Sequence, residues 1–275
     1  MEPLEDEFGD IIQKARMGLG FTLRQIAEKA SIQGHLLEDL ESYKYIPSKE
    51  EVDSLSRVLG LDPDKLWDIA MGLWHPEEDL FSDVLVVAGS IGSYKVNGYI
   101  FLDEDSNEAV AFDTANDSRK VLQSLKDRGL RLRYIFITHC HSDHIGGLEE
   151  ICRATGAGIG IPEGEPSIAL SRDIGKCIFF AKDNSKFKLG TKVIRAAYTP
   201  GHTPGSTCYI TQDYCFSGDT VFAGSIGRAY STEGYNKLLT SVKTSILSLD
   251  ERVRIFPGHG PVTMVGEELA HNPFF

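Results

Sequence analysis

The stretch YIFITHCHSDHIGG, residues 134–147, decides how the rest of the chain is interpreted. Within six positions it carries four side chains of the kinds that bind metals: His139, His141, Asp143 and His144. The run YIFIT is apolar, aromatic and β-branched, as expected of a buried strand. His139 and His141 lie two positions apart on backbone that we expect to be extended, so both imidazoles should point to the same side. The following Gly-Gly pair gives the chain room to turn into a helix.

Three more candidate ligands follow apolar runs further along the chain. They are His202 in YTPGHTPGS, Asp219 in FSGDTVF and His259 in IFPGHGP. Each follows a predicted strand, so one edge of the sheet should collect all seven side chains. A set of imidazoles and carboxylates without thiolates is typical of a catalytic rather than a structural zinc site. The alternative, a solvated polar turn, suits a lone histidine but not four candidate ligands in six positions.

The remaining histidines and the cysteines are not part of this pattern. We interpret His35, His75 and His271 as solvated or structural, and Cys140 as a packed thiol that points away from its histidine neighbours. The five cysteines are scattered and form neither a CxxC pair nor a disulfide framework, which favours a reducing cytoplasm.

Length and charge limit the classes of protein that the chain can belong to. The 275 residues, 41% of them hydrophobic, suffice for a large core and one small additional domain. The net charge of −12 makes the whole protein a poor match to a polyanion. The acidic N-terminus lacks the apolar segment of a signal peptide, and no apolar run reaches about 18 residues, so we predict no membrane span.

The hydrophobic period changes once along the chain. Residues 1–75 show helical spacing, with Thr22 as a predicted N-cap and a capping box starting at Ser48. Residues 76–82 are predicted to form a linker. From residue 83 to residue 275, short strand-like runs arrive with interspersed helices, which predicts an α+β domain of sheet packed on helices.

The order HxHxDH, then His, Asp and His resembles the metallo-β-lactamase superfamily. The segments GHTPGS, GDTVF, GSIGRAY and FPGHGPVTMVGEELAHNPF are most similar to its glyoxalase II branch, the hydroxyacylglutathione hydrolases. The resemblance covers roughly residues 83–275. It implies an αββα sandwich with a metal centre at one edge.

This resemblance also implies roles for the seven side chains. Two divalent cations are expected, with zinc as the first choice and iron or manganese as alternatives. The first metal would be held by His139, His141 and His202, and the second by Asp143, His144 and His259, with Asp219 bridging both. A metal-bridging hydroxide would attack a thioester, with Asp143 and Asp219 as catalytic residues. Asp113 would support the ligand loops by hydrogen bonds, and Ala115 stands where the family usually has glycine.

The substrate is less well defined than the metal site. Arg228 and Tyr230 match substrate-contacting positions of the glyoxalase II family, and Arg228 could pair with a carboxylate. The sequence ends soon after His259, as in the short bacterial branch, which leaves the thiol open. The ranked alternative is a persulfide dioxygenase with one iron held by two histidines and one aspartate. Lactonase and β-lactamase activities rank lower.

The segment of residues 20–66 resembles the Cro/C1-type (XRE-like) helix-turn-helix, with SIQGHLLEDLE as its recognition helix. The predicted DNA contacts are Gln33, His35 and Lys44. Residues 1–75 nevertheless carry eight basic and fifteen acidic side chains, which is unfavourable for phosphate contact. A local patch of Lys14, Arg16, Arg24 and Lys44 would be needed.

Two roles therefore stay open for the small domain. In the first, the chain is an enzyme that hydrolyses a small-molecule thioester, and the domain mediates homodimerisation or another protein contact. In the second, it is a DNA-binding regulator whose hydrolase-like domain senses or turns over a metabolite.

Overall fold

The structure is a computed structural model that describes residues 2–77, 80–165 and 174–275. Its first part is helical, as the sequence predicts. The helices are Phe8–Gly18 (α1), Leu23–Ala30 (α2), Gly34–Glu41 (α3), Lys49–Leu59 (α4) and Pro63–Ala70 (α5). The Thr22 hydroxyl accepts from the Gln25 amide, and the Ser48 hydroxyl accepts from the Glu51 amide, so both predicted caps are confirmed. The predicted linker lies partly outside the described residues.

Six strands form the first sheet, in chain order across it. They are Val84–Ile91 (β1), Tyr94–Asp103 (β2), Glu108–Phe112 (β3), Arg131–Phe136 (β4), Gly158–Pro162 (β5) and Ile178–Ala181 (β6). Strands β1 to β3 pair antiparallel, and the pairs from β3 onward to β6 are parallel. The helices of this half are Ser118–Asp127 (α6), Ser142–Ile145 (α7) and Leu148–Thr155 (α8), with a 3-10 turn at Ile174–Cys177.

A second six-stranded sheet has the order β14-β13-β10-β9-β8-β7, and β11 and β12 form a separate small hairpin. The strands are Lys186–Leu189 (β7), Lys192–Tyr198 (β8), Thr207–Ile210 (β9), Tyr214–Gly218 (β10), Val221–Phe222 (β11), Ser225–Ile226 (β12), Arg254–Pro257 (β13) and Thr263–Met264 (β14). Its helices are Thr232–Ser241 (α9), continued by a π-helical segment Val242–Ile246, and Val265–His271 (α10).

The two sheets face each other across an aromatic core. Phe112 of the first sheet stacks on Phe216 of the second at a centroid distance of 3.8 Å, and Phe216 also stacks with Phe256 at 5.0 Å. Helices α6 and α8 cover the outer face of the first sheet, and α9 packs in the core cluster of the second. This mixed fold has the layers of the expected αββα sandwich.

The helical region, residues 2–77, shares one apolar core with the sandwich. Helix α1 lies so close to α9 that a Cβ on Gly18 would come within 2.3 Å of the Tyr235 ring. On the opposite side, the Lys65 ammonium donates to the carbonyls of Leu269 and Phe275, at 2.8 and 2.6 Å. The helices are therefore fixed to the sandwich along an extended surface. Within the described part of the chain, no helix is long and apolar enough to cross a membrane.

Candidate metal centre

The ends of four strands deliver the seven predicted ligands to one point. The segment after β4 carries His139 to His144, and the loops after β8, β10 and β13 carry one ligand each. The side chains fall into two adjacent groups whose ligand atoms lie within 4.8 Å of one another: His139, His141, His202 and Asp219, and then Asp143, His144 and His259. The sequence therefore predicted correctly which residues meet at this edge.

In the first group, three imidazole nitrogens face a common centre. His139 Nε2 lies 3.0 Å from His141 Nδ1 and 3.2 Å from His202 Nε2, and the last two atoms are 3.1 Å apart. Three ligands at tetrahedral angles around zinc, with bonds of about 2.0–2.1 Å, would be separated by about 3.3 Å. The triangle of nitrogens has close to that size.

Asp219 lies between the two groups and faces both. Its Oδ2 is 3.4 Å from His202 Nε2 and 3.5 Å from His259 Nε2, while its Oδ1 is 3.3 Å from His144 Nε2. Asp143 Oδ2 is 3.5 Å from His259 Nε2. The Asp219 carboxylate therefore contacts both groups, through Oδ2 to one histidine of each and through Oδ1 to the second group, as a bridging ligand would.

Hydrogen bonds on the far side fix the ring orientation of the buried histidines. His144 Nδ1 donates to the Asp113 carboxylate (2.8 Å), His202 Nδ1 to the Arg228 carbonyl (2.8 Å) and His259 Nδ1 to the Lys95 carbonyl (2.5 Å). Because a carbonyl oxygen only accepts, these contacts place the proton on Nδ1. In the neutral form of each ring, the Nε2 lone pair is then directed at the centre, as metal-ligating histidines require.

Two buried polar atoms at the centre have no hydrogen-bond partner among the described residues. They are His144 Nε2 and Asp219 Oδ1. Buried polar atoms without partners are costly, and a bound ion is one explanation of such atoms. A Cβ on Gly258 would lie 2.4 Å from Asp219 Oδ1 and 2.6 Å from the His144 ring, so glycine keeps this space open. The donor set and the open space both fit divalent cations.

The charges at the centre attract cations. Burial by itself lowers the pKa of His144, but the Asp219 and Asp113 carboxylates outweigh it and raise that pKa to about 10. Burial raises the pKa of Asp219, but the neighbouring histidines reverse this and hold it well below its usual range. Burial lowers the pKa of His139 and of His202, which favours the neutral rings that coordinate metals. In the second group, a proton on His144 would therefore have to leave before that ring could bind a metal.

Asp113 supports the ligand segment as predicted. Its carboxylate accepts from the Thr138 amide and the Thr138 hydroxyl, both at 2.8 Å, as well as from His144. Ala115, where the family usually has glycine, has a φ of +52°. That left-handed conformation is the one that glycine adopts without strain, which explains the family preference.

Glu165 was not anticipated from the sequence. Its carboxylate accepts from the Cys140 amide (2.8 Å), the Thr203 hydroxyl (2.5 Å) and the Gly205 amide (3.0 Å). It thus ties the segment that carries His139 to the one that carries His202. An isolated glutamate in a turn carries no signal for such a role, because its partners are close only in the folded chain.

Cys140 lies between two candidate ligands but does not belong to them. Its side chain packs against the apolar cluster behind the first sheet, and burial raises the pKa of its thiol to about 12. The thiol is therefore protonated at neutral pH and would be a poor metal ligand or nucleophile. The contacts and the raised pKa of Cys140 both agree with the prediction that it is a packed thiol.

The centre opens into a cleft of about 790 Å³. Arg228 and Tyr230 both line it, as the substrate-binding prediction requires. The helical region also lines it, through Glu5 and Lys14 among others, and this was not expected from the sequence. Burial raises the pKa of Glu5 to about 7.

The predicted DNA contacts are far more exposed than the metal ligands. Gln33, His35 and Lys44 are all exposed, on α3 or next to it, so they are accessible to a partner.

The proposed basic patch is wrong for two of its four members. Lys14 is buried and paired with Asp6, and Arg16 pairs with Glu41 at 2.6 Å. These two cations are used within the protein, and DNA binding stays a prediction.

Comparison with known proteins agrees with this geometry. The profile of the Metallo-beta-lactamase superfamily matches residues 94–259, so the chain belongs to that superfamily. The matched range spans the first sheet from β2 onward and ends at His259. The fold of this superfamily implies binding of divalent metal.

Individual relatives narrow the class to metal-dependent hydrolases. The chain is 31% identical to the "Probable metallo-hydrolase YqgX" of Bacillus subtilis over 67% of its own length and 94% of that protein. It is 28% identical to the "Hydroxyacylglutathione hydrolase GloC" of Haemophilus influenzae, again over 67% and 94%. Among solved structures, the B3 metallo-beta-lactamase BLEG-1 matches with a TM-score of 0.58 and 33% identity, over 69% of this chain and 99% of that one.

Proposed function

We propose that the protein is a glyoxalase II-like thioester hydrolase that works with two divalent metal ions. The observation that carries this proposal is the set of seven ligands in two adjacent groups, with Asp219 directed at both. A mononuclear iron enzyme would need only two histidines and one carboxylate, and the second group would have no role. The 28% identity to a hydroxyacylglutathione hydrolase supports the same reaction class.

The protein groups would divide the work as follows. When bound, the two cations supply an activated water and polarise the scissile carbonyl. His139, His141 and His202 would hold the first cation, and Asp143, His144 and His259 the second. Asp113 and the carbonyl acceptors keep the ring protons on the outer nitrogens. Arg228 would anchor a substrate carboxylate, and the exposed Tyr230 ring would contact the rest of the substrate.

Metal analysis combined with a substrate panel tests the proposal. We expect about two divalent ions per chain, hydrolysis of acyl thioesters, loss of turnover after chelation and recovery on adding zinc, iron or manganese. Apo protein carried through the same buffers without added metal is the matched control. One iron per chain, together with oxygen consumption on a persulfide, would instead identify a dioxygenase and overturn the hydrolase proposal.

A further inference from the structure

The helical region forms one side of the metal cleft. Residues 2–6 line the cleft together with the metal ligands and the residues at 94–95. The contact is close, because a Cβ on Gly260, next to His259, would lie 2.9 Å from the Glu5 amide nitrogen. A substrate bound in this cleft would therefore lie beside the helical region.

Lys14 fastens α1 at the rim of the cleft. Its buried ammonium pairs with Asp6, donates to the Ile226 carbonyl at 2.8 Å and lies 4.8 Å from the centre of the Phe222 ring. Phe222 in turn contacts the His259 ring edge-to-face at 5.8 Å. The first turns of α1 are thus held in a fixed position beside the segment that carries Arg228.

Gln13, one position before Lys14, reaches Arg228 itself. Its Oε1 accepts from Arg228 Nη2 at 3.2 Å, and its Nε2 donates to Glu41 Oε2 at 3.3 Å. The Glu41 side chain is only 6% exposed and is also held by Arg16 through two hydrogen bonds of 2.6 and 2.8 Å. The position of the Gln13 amide is therefore set from the side of the helical region.

The chemistry of this position favours an amide. Glu41 can only accept, and the Arg228 guanidinium can only donate. A glutamine satisfies both partners at once and leaves the positive charge of Arg228 uncompensated. An acid at position 13 would repel Glu41 and neutralise Arg228. Since a guanidinium has five donors, the contact with Gln13 leaves others free for a carboxylate.

We propose that Gln13 is a positioning residue that holds Arg228 for binding of substrate carboxylates, so that the helical region is a specificity element of the hydrolase. This inference rests on the proposed thioesterase function. It assigns the helical region a role inside the active site that does not depend on nucleic acid. Substrates with a carboxylate on the acyl or the thiol moiety gain from a fixed Arg228, whereas neutral thioesters do not.

The test is steady-state kinetics of the full-length, metal-loaded protein. The substrates are succinyl and butyryl thioesters of N-acetylcysteamine and the butyryl thioester of 3-mercaptopropionate. For Gln13→Met we expect the KM of at least one carboxylate-bearing thioester to rise roughly five- to tenfold, as for loss of one ordinary hydrogen bond. The kcat and the KM of the neutral thioester should change less than about twofold.

Two further variants separate positioning from a general structural effect. In an Arg228→Met background, Gln13→Met should have no additional effect, because the two residues then act through one contact. Gln123→Met on α6 makes the same chemical change at an exposed position and should match the wild type. Equal KM increases for charged and neutral thioesters, or additive effects of the two substitutions, would overturn the inference.

Equilibrium binding keeps this result distinct from failure of the proposed function. Calorimetric titration of the metal-loaded protein with succinate, butyrate and 3-mercaptopropionate measures carboxylate binding without turnover. If wild-type protein hydrolyses none of the thioesters, the thioesterase proposal fails. The role of Gln13 is then still decided by titration, where Gln13→Met should weaken binding of at least one carboxylate-bearing ligand roughly five- to tenfold. Unchanged binding would overturn it.

Discussion

The metal centre and the exposed face of α3 were both predicted from short sequence patterns, but their residues are arranged differently in the structure. At the metal centre, side chains from four loops that are far apart in sequence converge on one point, most of them buried. On α3, Gln33 and His35 are accessible but adjacent only because they are close in sequence. Convergence of distant residues has few explanations other than a shared ligand, whereas exposure of neighbouring residues has many.

The difference extends to charge. At the centre, carboxylates and imidazoles are arranged so that they attract cations, with the pKa of His259 raised to about 11 by Asp219 and Asp143 against the effect of burial. In the helical region, basic residues that DNA would need are paired internally with Asp6 and Glu41. The charges at the centre are therefore available to a bound cation, whereas these basic residues of the helical region are already paired within the protein.

The largest expected effect comes from the bridging carboxylate. Asp219→Asn keeps the side-chain volume but removes the negative charge that faces both groups. We therefore expect the metal content to fall below two ions per chain and kcat/KM to drop more than about 100-fold. That loss exceeds the one usual for residues that only hydrogen-bond a metal ligand. Metal analysis and thioester kinetics measure both. Asp213→Asn makes the same change at an exposed turn and serves as the control. Full metal content and activity in Asp219→Asn would show that Asp219 is not a bridging ligand.

The junction between the two regions can be tested at Lys14. Lys14→Met leaves Asp6 buried and unpaired, which should cost about 3–5 kcal/mol of unfolding free energy. Chemical denaturation followed by circular dichroism measures this loss. The double substitution Asp6→Asn with Lys14→Met should recover part of it, and Lys126→Met, at an exposed site on α6, should have little effect. A change below about 1 kcal/mol in Lys14→Met would mean that the junction does not depend on this ion pair.

The smallest effect is expected for DNA. With Lys14 and Arg16 engaged, only Arg24 and Lys44 of the predicted patch remain exposed, so about two phosphate contacts are available. A plot of log affinity against log salt concentration should then have a slope near about −2, reduced by about 1 in Lys44→Ala, with thioester turnover unchanged. Gel shifts at several salt concentrations measure the slope. A steep slope, near about −5 or beyond, would show that other cations contact DNA and would favour the regulator.

Prediction from sequence succeeded where a residue matched a motif of the superfamily. Asp113 follows β3 and was expected to support the ligands, and it does so with three hydrogen bonds. Glu165 and Gln13 were missed because their chemistry is common and their partners are 25 to 215 positions away. The basic patch was wrong because charge counting cannot show which cations are paired inside the protein.

The sequence by itself predicted most of the elements, the sandwich class and the seven side chains that meet at one edge of the sandwich. The elements follow from local hydrophobic periods and the ligand set from residue types placed after apolar runs, whereas the sandwich is implied by the resemblance of these motifs to one superfamily. Only the tertiary structure decided that the helical region packs against the cleft, with Lys14 and Gln13 at its rim. That contact depends on the docking of two surfaces whose side chains match only in three dimensions, and no local pattern encodes such a match.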